Sequence, residues 1–449
     1  MAAAQLLPLV HTSCGKEHES TPLLGGGTGD AASCLHGRTS PRWLSLNLLG
    51  PGLLVCLADT DAGCLIVAAQ SGSRWGYSLL PLQVLLIPIL FLTQELTIRL
   101  AVHTQQGHVA CIGQFFGRGW AAFACTLLVV ECLLAMVSEM SGLAAVGELW
   151  GVGRTAATLG SALIIVAVIF CCSYKQVEAL GICFGLFELT FVATMLFYHP
   201  SPREVFQGAF TFHDDPGFIK LIAANVGAVV MPWMVYFQQS AVVARRVRSE
   251  DDVAQERAST LLGSGLTQLI MIGALVTLAA AHGPHRSLET VEDIVDALAP
   301  VLGDMSSRVL VSLALSGGSL AAAFVVTLAA SWAVCDALGV EDKFSMDASP
   351  SSAPTFYASL VAFMVIGILV LETGVNIVQF NMVVELINGL LLPFTVCFLY
   401  LLCTGEALPP EARVVGWHKA LLAVVFSMCG AVCLASTLYG VLVGVTRTA

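Results

Sequence analysis

Charge is what this chain has least of. Only 11% of its 449 residues are Asp, Glu, Lys or Arg, too few for a soluble domain of this length. Basic residues are the scarcer kind: 20 Lys and Arg stand against 31 Asp and Glu, a net charge of -11. No basic stripe with interleaved aromatics occurs, so a nucleic-acid partner is excluded. The 15 cysteines never fall into CxxC pairs, which argues against a disulfide framework or a zinc site and leaves them as small buried hydrophobes. No apolar span carries a GxGD segment or a Tyr-Asp pair, which removes an intramembrane aspartyl protease, and no other enzyme chemistry is expected. What fills the chain is apolar: 57% hydrophobic residues and a mean hydropathy of +0.83. This describes a polytopic membrane protein whose first partner is the lipid bilayer.

Residues 1–45 are a different material. They are polar, Gly/Ser-rich and aperiodic, the signature of a disordered tail, and no charged start leads into an apolar run as in a signal peptide. Within the tail, Glu19-Ser-Thr-Pro-Leu23-Leu24 resembles an acidic dileucine signal, which adaptor complexes read for endolysosomal or vacuolar membranes; a plasma-membrane location is the alternative. His11, Cys14 and His18 read as solvated tail residues rather than as ligands. Residues 46–445 form the membrane domain. Runs of about 20 apolar residues predict eleven spans, near 47–70, 76–101, 119–147, 154–172, 176–199, 217–244, 259–281, 306–338, 355–371, 376–403 and 415–443. A cytosolic N-terminus puts 13 of the 20 Lys and Arg on the inner side and 7 on the outer, as the positive-inside rule prefers. The acidic stretch "HRSLETVEDIVDALAP" then faces outward as an amphipathic loop helix.

Two spans are interrupted. The first carries Asp59 and Asp61 mid-membrane with Gly63 beside them, and the sixth carries Pro232, which removes a backbone hydrogen bond about halfway through. A Pro kink and a flexible Gly alone are common in membrane helices, but they do not account for the acids. An ionised Asp at the bilayer centre costs about 2.5–3.5 kcal/mol even on the lenient insertion scale, so two of them imply a cation, a proton or a water-filled cavity. Broken helices at corresponding places in two five-helix halves, spans 1–5 and 6–10, point to a midplane substrate site in an inverted-repeat transporter. The predicted fold class is therefore an all-α polytopic membrane protein of about eleven helices, a LeuT-like inverted 5+5 repeat with helices 1 and 6 broken.

The residues around these breaks carry a resemblance. Gly50-Pro51-Gly52 followed by Asp61-Ala62-Gly63-Cys64 resembles the GPG…DPGN pattern of the NRAMP divalent-metal transporters, and Met231-Pro232-Trp233 resembles their sixth-helix MPH. "SEMSGLAA" (138–145) is similar to their third-helix segment, and "ELINGLLLPF" (385–394) to a tenth-helix stretch that begins with a metal-facing Gln. The variant "ADxDAG" with "PWM…QSAVV" resembles in part the NRAMP-related magnesium branch. The resemblance implies a metal site of Asp61, Cys64, Met231 and the carbonyls of Ala58 and Ala228, with Glu385 as a possible second carboxylate. No cofactor is implied, the divalent metal being the substrate.

Departures from the family pattern bear on the ion. Cys64 stands where the family has Asn, Glu385 where it has Gln, and Asp59 where an aromatic is usual. Met and Cys suit Mn2+, Fe2+ and softer ions, whereas Mg2+ prefers all-oxygen surroundings. The expected function is movement of Mn2+ or Fe2+ by alternating access; the alternatives are a Mg2+ uniporter of the related branch, or a non-transporting metal sensor with the same fold. A sensor usually carries a soluble signalling domain, and only six residues follow the last predicted span. An amino-acid carrier of this architecture would suffer repulsion between Asp61 and the substrate carboxylate. Glu139 matches the family's third-helix Glu on the proton route, with Asp59 as an accessory acid, but Met136 and Trp233 occupy two other proton-route positions. Glu95, Glu131 and Glu188 read as partners of buried polar groups, and Asp336 as structural.

Overall fold

The protein is described here by a computed structural model covering residues 50–282, 288–340, 350–374 and 376–448, with side chains described through 436. The tail, with Glu19, Leu23 and Leu24 and with His11, Cys14 and His18, lies outside the described residues. Every element among them is helical. Helices α1 (Pro51–Ala58) and α2 (Ala62–Trp75) share the first span. α3 (Leu80–Thr104) is the second, the short α4 (His108–Phe116) follows it, and α5 (Arg118–Leu149) and α6 (Arg154–Cys171) are the third and fourth. α7 (Tyr174–Gly185) and α8 (Leu189–Tyr198) make the fifth span, joined by a 3-10 turn at Leu186–Glu188. After α9 (Pro202–Ala209), α10 (Pro216–Val229) and α11 (Pro232–Ala244) make the sixth. α12 (Glu250–His282), α14 (Asp304–Leu338), α15 (Pro354–Leu371), α16 (Ile377–Thr404) and α17 (Gly416–Thr448) are spans seven to eleven, with α13 (Val291–Leu302) on the connection after the seventh. All eleven expected spans are present, the first as a pair bent by 52°.

Packing repeats between the halves. The seventh span lies on the first as the second lies on the sixth, the fifth lies on the first as the tenth lies on the sixth, and the third and eighth pack along each other. The interrupted spans are central: 83% of the most apolar stretch of Pro216–Ala244 is buried against 22% for Arg154–Cys171. The broken helices are thus enclosed by protein, the one place where unpaired backbone is tolerated at membrane depth.

Both breaks sit slightly off their expected positions, for local reasons. In the first span the unwound residues are Asp59, Thr60 and Asp61, and Gly63 is already helical. Short polar side chains compete with the helix for backbone groups: the Thr60 hydroxyl donates to Leu57 O at 2.9 Å, and Asp61 caps α2 by accepting from Cys64 N at 2.8 Å. In the sixth span Pro232 does not remove a mid-helix bond. It opens α11 at a position where a missing N–H costs nothing, and the break is Val230 and Met231. Met231 is extended (φ -82°, ψ 141°), as a residue before proline is forced to be.

The expected amphipathic loop helix is α13. Thr290 and Asp293 cap it reciprocally, and Arg308 on α14 pairs with its Glu292 at 2.8 Å.

Candidate metal site

The site is assembled from the two breaks and the middle of α16. Capping α2 fixes Asp61 at the start of the helix, where N–H groups and the helix dipole favour a negative charge. One turn on, Cys64 turns its thiol toward the other break and donates to Ala228 O at 2.9 Å. Glu385 reaches in from α16: its Oε2 accepts from Asn388 Nδ2 at 3.0 Å, while Oε1 is buried without a partner. One ligand atom each from Asp61, Cys64 and Glu385 lies within 4.8 Å of the others. Gly63 makes this possible. A Cβ there would collide with Glu385 Oε1 and press on Asp61 Oδ1 at 3.2 Å, so glycine is needed for room rather than for flexibility.

The remaining expected residues lie around this trio. Ala58 is the last residue of α1 and Ala228 the next to last of α10, both fully buried, among the terminal carbonyls that a helix leaves unbonded. Met231 is fully buried at the second break, and its Sδ accepts from the Trp233 indole N–H at 3.0 Å. One sulfur lone pair is therefore occupied and one is left for an ion. Glu139 lies against Asp61 and Ser319 with neither oxygen in a well-formed hydrogen bond, and both Asp59 oxygens are buried without partners. None of the described ion pairs involves Asp59, Asp61, Glu139 or Glu385. Several carboxyl groups in one dry volume without a basic counterpart are costly unless protons or a cation neutralise them.

The other acids weighed from the sequence have partners. Glu131 Oε1 accepts from Trp233 N at 3.3 Å, acting as the N-cap that Met231 has no oxygen to provide. Glu188 Oε2 is a hydrogen-bonding neighbour of the Thr60 hydroxyl and shares that hydroxyl's one hydrogen with Leu57 O, which holds the unwound loop, and Gly318 lets α14 approach both: its Cβ would meet Glu188 Oε1 and Thr60 O at 2.7 Å. Glu95 pairs with Arg99 and Arg257 at 2.9 and 2.7 Å. Asp336 is buried against Gly107.

Several contributors escaped sequence reasoning. Glu256 accepts from Gly52 N at 2.7 Å, and Ser259 Oγ from Leu53 N at 3.1 Å, so α12 caps α1. This explains Gly50-Pro51-Gly52: a Cβ on Gly50 would lie 2.8 Å from Glu256 Oε2, and one on Gly52 would overlap the Thr260 hydroxyl. Asn381 and Asn388 flank Glu385 on one face of α16, and that three- and four-residue spacing was a signal available in the sequence.

Comparison with known proteins agrees with this geometry. Residues 52–439 match the family described as Nramp, natural resistance-associated macrophage protein-like. The chain belongs to the Nramp family. It is a family of metal-ion transporters, not of enzymes. Among relatives of this Nramp protein, the "Divalent metal cation transporter MntH" of Xylella fastidiosa (strain 9a5c) is 28% identical over 331 residues, covering 69% of this chain and 68% of that protein. MntH of Chromohalobacter salexigens is 26% identical over 311 residues, 66% and 72% of the two chains. The fold is similar to that of the Eremococcus coleocola manganese transporter, with a TM-score of 0.70 at 16% identity over 87% of this chain and 86% of that one. It is also similar to MhsT in complex with L-phenylalanine, at 0.56 and 15% over 89% and 99%. The likeness across such different transporters is that of the LeuT fold.

Proposed function

We propose that this Nramp protein carries Mn2+ or Fe2+ across its membrane by alternating access, with Asp61, Cys64, Glu385 and Met231 and the carbonyls of Ala58 and Ala228 as ligands. The observation that carries this reading is the convergence of Asp61, Cys64 and Glu385 within 4.8 Å at the junction of two helix breaks, with no basic side chain among the described residues ion-paired to either carboxylate. Two carboxylates supply charge, and two sulfurs supply softness. Such a mixed set suits Mn2+ and Fe2+, whereas Mg2+ gains nothing from sulfur and gives up its waters reluctantly. A Cys ligand gives up its proton to a metal, so binding of Mn2+ or Fe2+ by Cys64 would end its donation to Ala228 O and free that carbonyl for the ion. The relatives named divalent metal cation transporters and the structural neighbour named a manganese transporter support the same substrate class.

The test is radioactive Mn2+ uptake into proteoliposomes, with Fe2+, Mg2+ and Ca2+ as competitors. Fe2+ should compete with Mn2+ and a large excess of Mg2+ should not. Asp61→Ala should lose uptake because it removes a carboxylate ligand at the break; it should still elute as a folded protein, with a melting temperature lowered by the lost α2 cap, worth about 1 kcal/mol. Near-normal uptake by that variant would overturn the site, and competition by Mg2+ at equal concentration would overturn the choice of ion.

A further inference from the structure

On one face of the membrane domain the connections after spans three, seven and nine come together. There a cavity of about 260 Å³ is bounded by Ala145 and Glu148 on α5, Glu289 before α13, and Asn376, Ile377 and Val378 at the start of α16. Its mouth is polar, with Glu148 paired to Arg154 at 2.9 Å. Its floor is the interface of α5 and α16, and there the side chains change character. One turn below Ala145 is Ser141, and one turn below Ile377 is Asn381, about 6 Å deeper along the helix axis. A further turn along α16 is Glu385.

Asn381 is fully buried and every polar group of its amide is used. Its Nδ2 donates to Ser141 Oγ at 2.9 Å and to Ile377 O at 2.8 Å, and its Oδ1 accepts from the Ser138 hydroxyl. The same Oδ1 lies 3.3 Å from the point where a Cβ on Gly63 would stand, a point that also abuts Glu385 Oε1 and Asp61 Oδ1. Asn381 thus sits beside the Gly63 corner of the metal site, and its clasp to α5 lies one turn along α16 below Ile377, which bounds the cavity.

We infer that this cavity is the entry vestibule for the ion and that Asn381, clasped by Ser138 and Ser141, is the gate between the vestibule and the metal site. The inference rests on the metal-site reading above. Opening requires α5 and α16 to part along their shared face, and the two hydroxyl contacts of Asn381 are polar links that must break as they do. The amide oxygen released from Ser138 is a hard donor suited to replace one water of the entering ion, and the hydroxyls can take others. In this scheme Asn381 contacts the ion in passage and is not one of its ligands at the metal site.

Cys64 provides the reporter, since it lies on the far side of the gate and is fully buried. Proteoliposomes of known protein orientation are treated with a membrane-impermeant thiol reagent on one face or the other, and labelling of the Cys64 peptide is timed by mass spectrometry, so the other cysteines do not interfere. Asn381→Ala removes the clasp. It should speed labelling from the vestibule face roughly tenfold, the order expected for loss of two buried hydrogen bonds, and leave the rate from the opposite face at the wild-type value. The double variant Ser138→Ala, Ser141→Ala should do the same, which guards against a folding defect peculiar to either change. Unchanged labelling in both variants, or an equal rise from both faces, would overturn the gate. Adding Mn2+ separates the two readings. Slower labelling supports both, whereas a one-sided rise that Mn2+ does not slow supports the gate and counts against Cys64 as a ligand.

Discussion

Met231 shows how one side chain can serve a site while being held by another. Its sulfur accepts from the Trp233 indole N–H at 3.0 Å, and its extended backbone follows from the proline after it. If the free lone pair meets the ion, Met231→Ala should weaken Mn2+ or Fe2+ binding about fivefold or more relative to Mg2+ and Ca2+, the order of one ligand worth about 1 kcal/mol. Equal losses for all four ions in a binding titration would mean that Met231 only packs. At this scale the sequence was legible where chemistry is local. Asp61 announced itself as an acid in an apolar run and a cap before a helix. Gly63 was legible as a glycine but not in its purpose, because the collision that excludes a side chain comes from Glu385, more than 300 residues away in the chain.

At the scale of elements, the helix ends are held by carboxylates from other spans. Glu256 caps α1 through Gly52 N at 2.7 Å and also accepts from Gln238 Nε2 on α11 at 3.1 Å, which ties the two broken spans to one side chain. Glu256→Ala leaves those donors buried without an acceptor and should cost about 1–3 kcal/mol, read as a lower melting temperature in detergent. Glu256→Gln keeps an acceptor oxygen and should recover most of the loss; equal melting of all three proteins would remove the cap from the account. Apolar run length made the eleven spans legible, and Pro232 marked the second break to within two residues. The caps were not legible. A Glu within a helix reads as surface charge until the fold shows an exposed helix end beside it, and no local periodicity encodes a partner 204 positions away.

For the whole molecule, the pattern of titratable groups bears on coupling. The family resemblance implies a proton route through a first-helix Asp, a sixth-helix His and a third-helix Asp and Glu. This chain retains Asp61 and Glu139, while Trp233 and Met136 occupy the other two places, both fully buried. Trp titrates nowhere near neutral pH and Met has no titrating group. The inverted-repeat arrangement is kept, while two of the four groups that the resemblance implies for a proton route are replaced by side chains that do not titrate near neutral pH. In proteoliposomes loaded with a pH dye, Mn2+ entry down its gradient should leave the lumen at its starting pH, and an imposed pH gradient should barely alter the initial rate. Acidification in step with Mn2+ entry would make the carrier proton-coupled and direct attention to Asp59, whose oxygens are buried without partners.

The central claim is that a dication sits where the two broken spans meet α16, and the most direct test is anomalous diffraction at the manganese edge from crystals soaked in Mn2+. The account predicts one strong peak between the Asp61 and Glu385 carboxylates and Cys64 Sγ, within coordination distance of all three, and its loss in Asp61→Ala crystals grown in the same form. A peak elsewhere in the membrane domain, or one at this position that survives Asp61→Ala at full height, would contradict it.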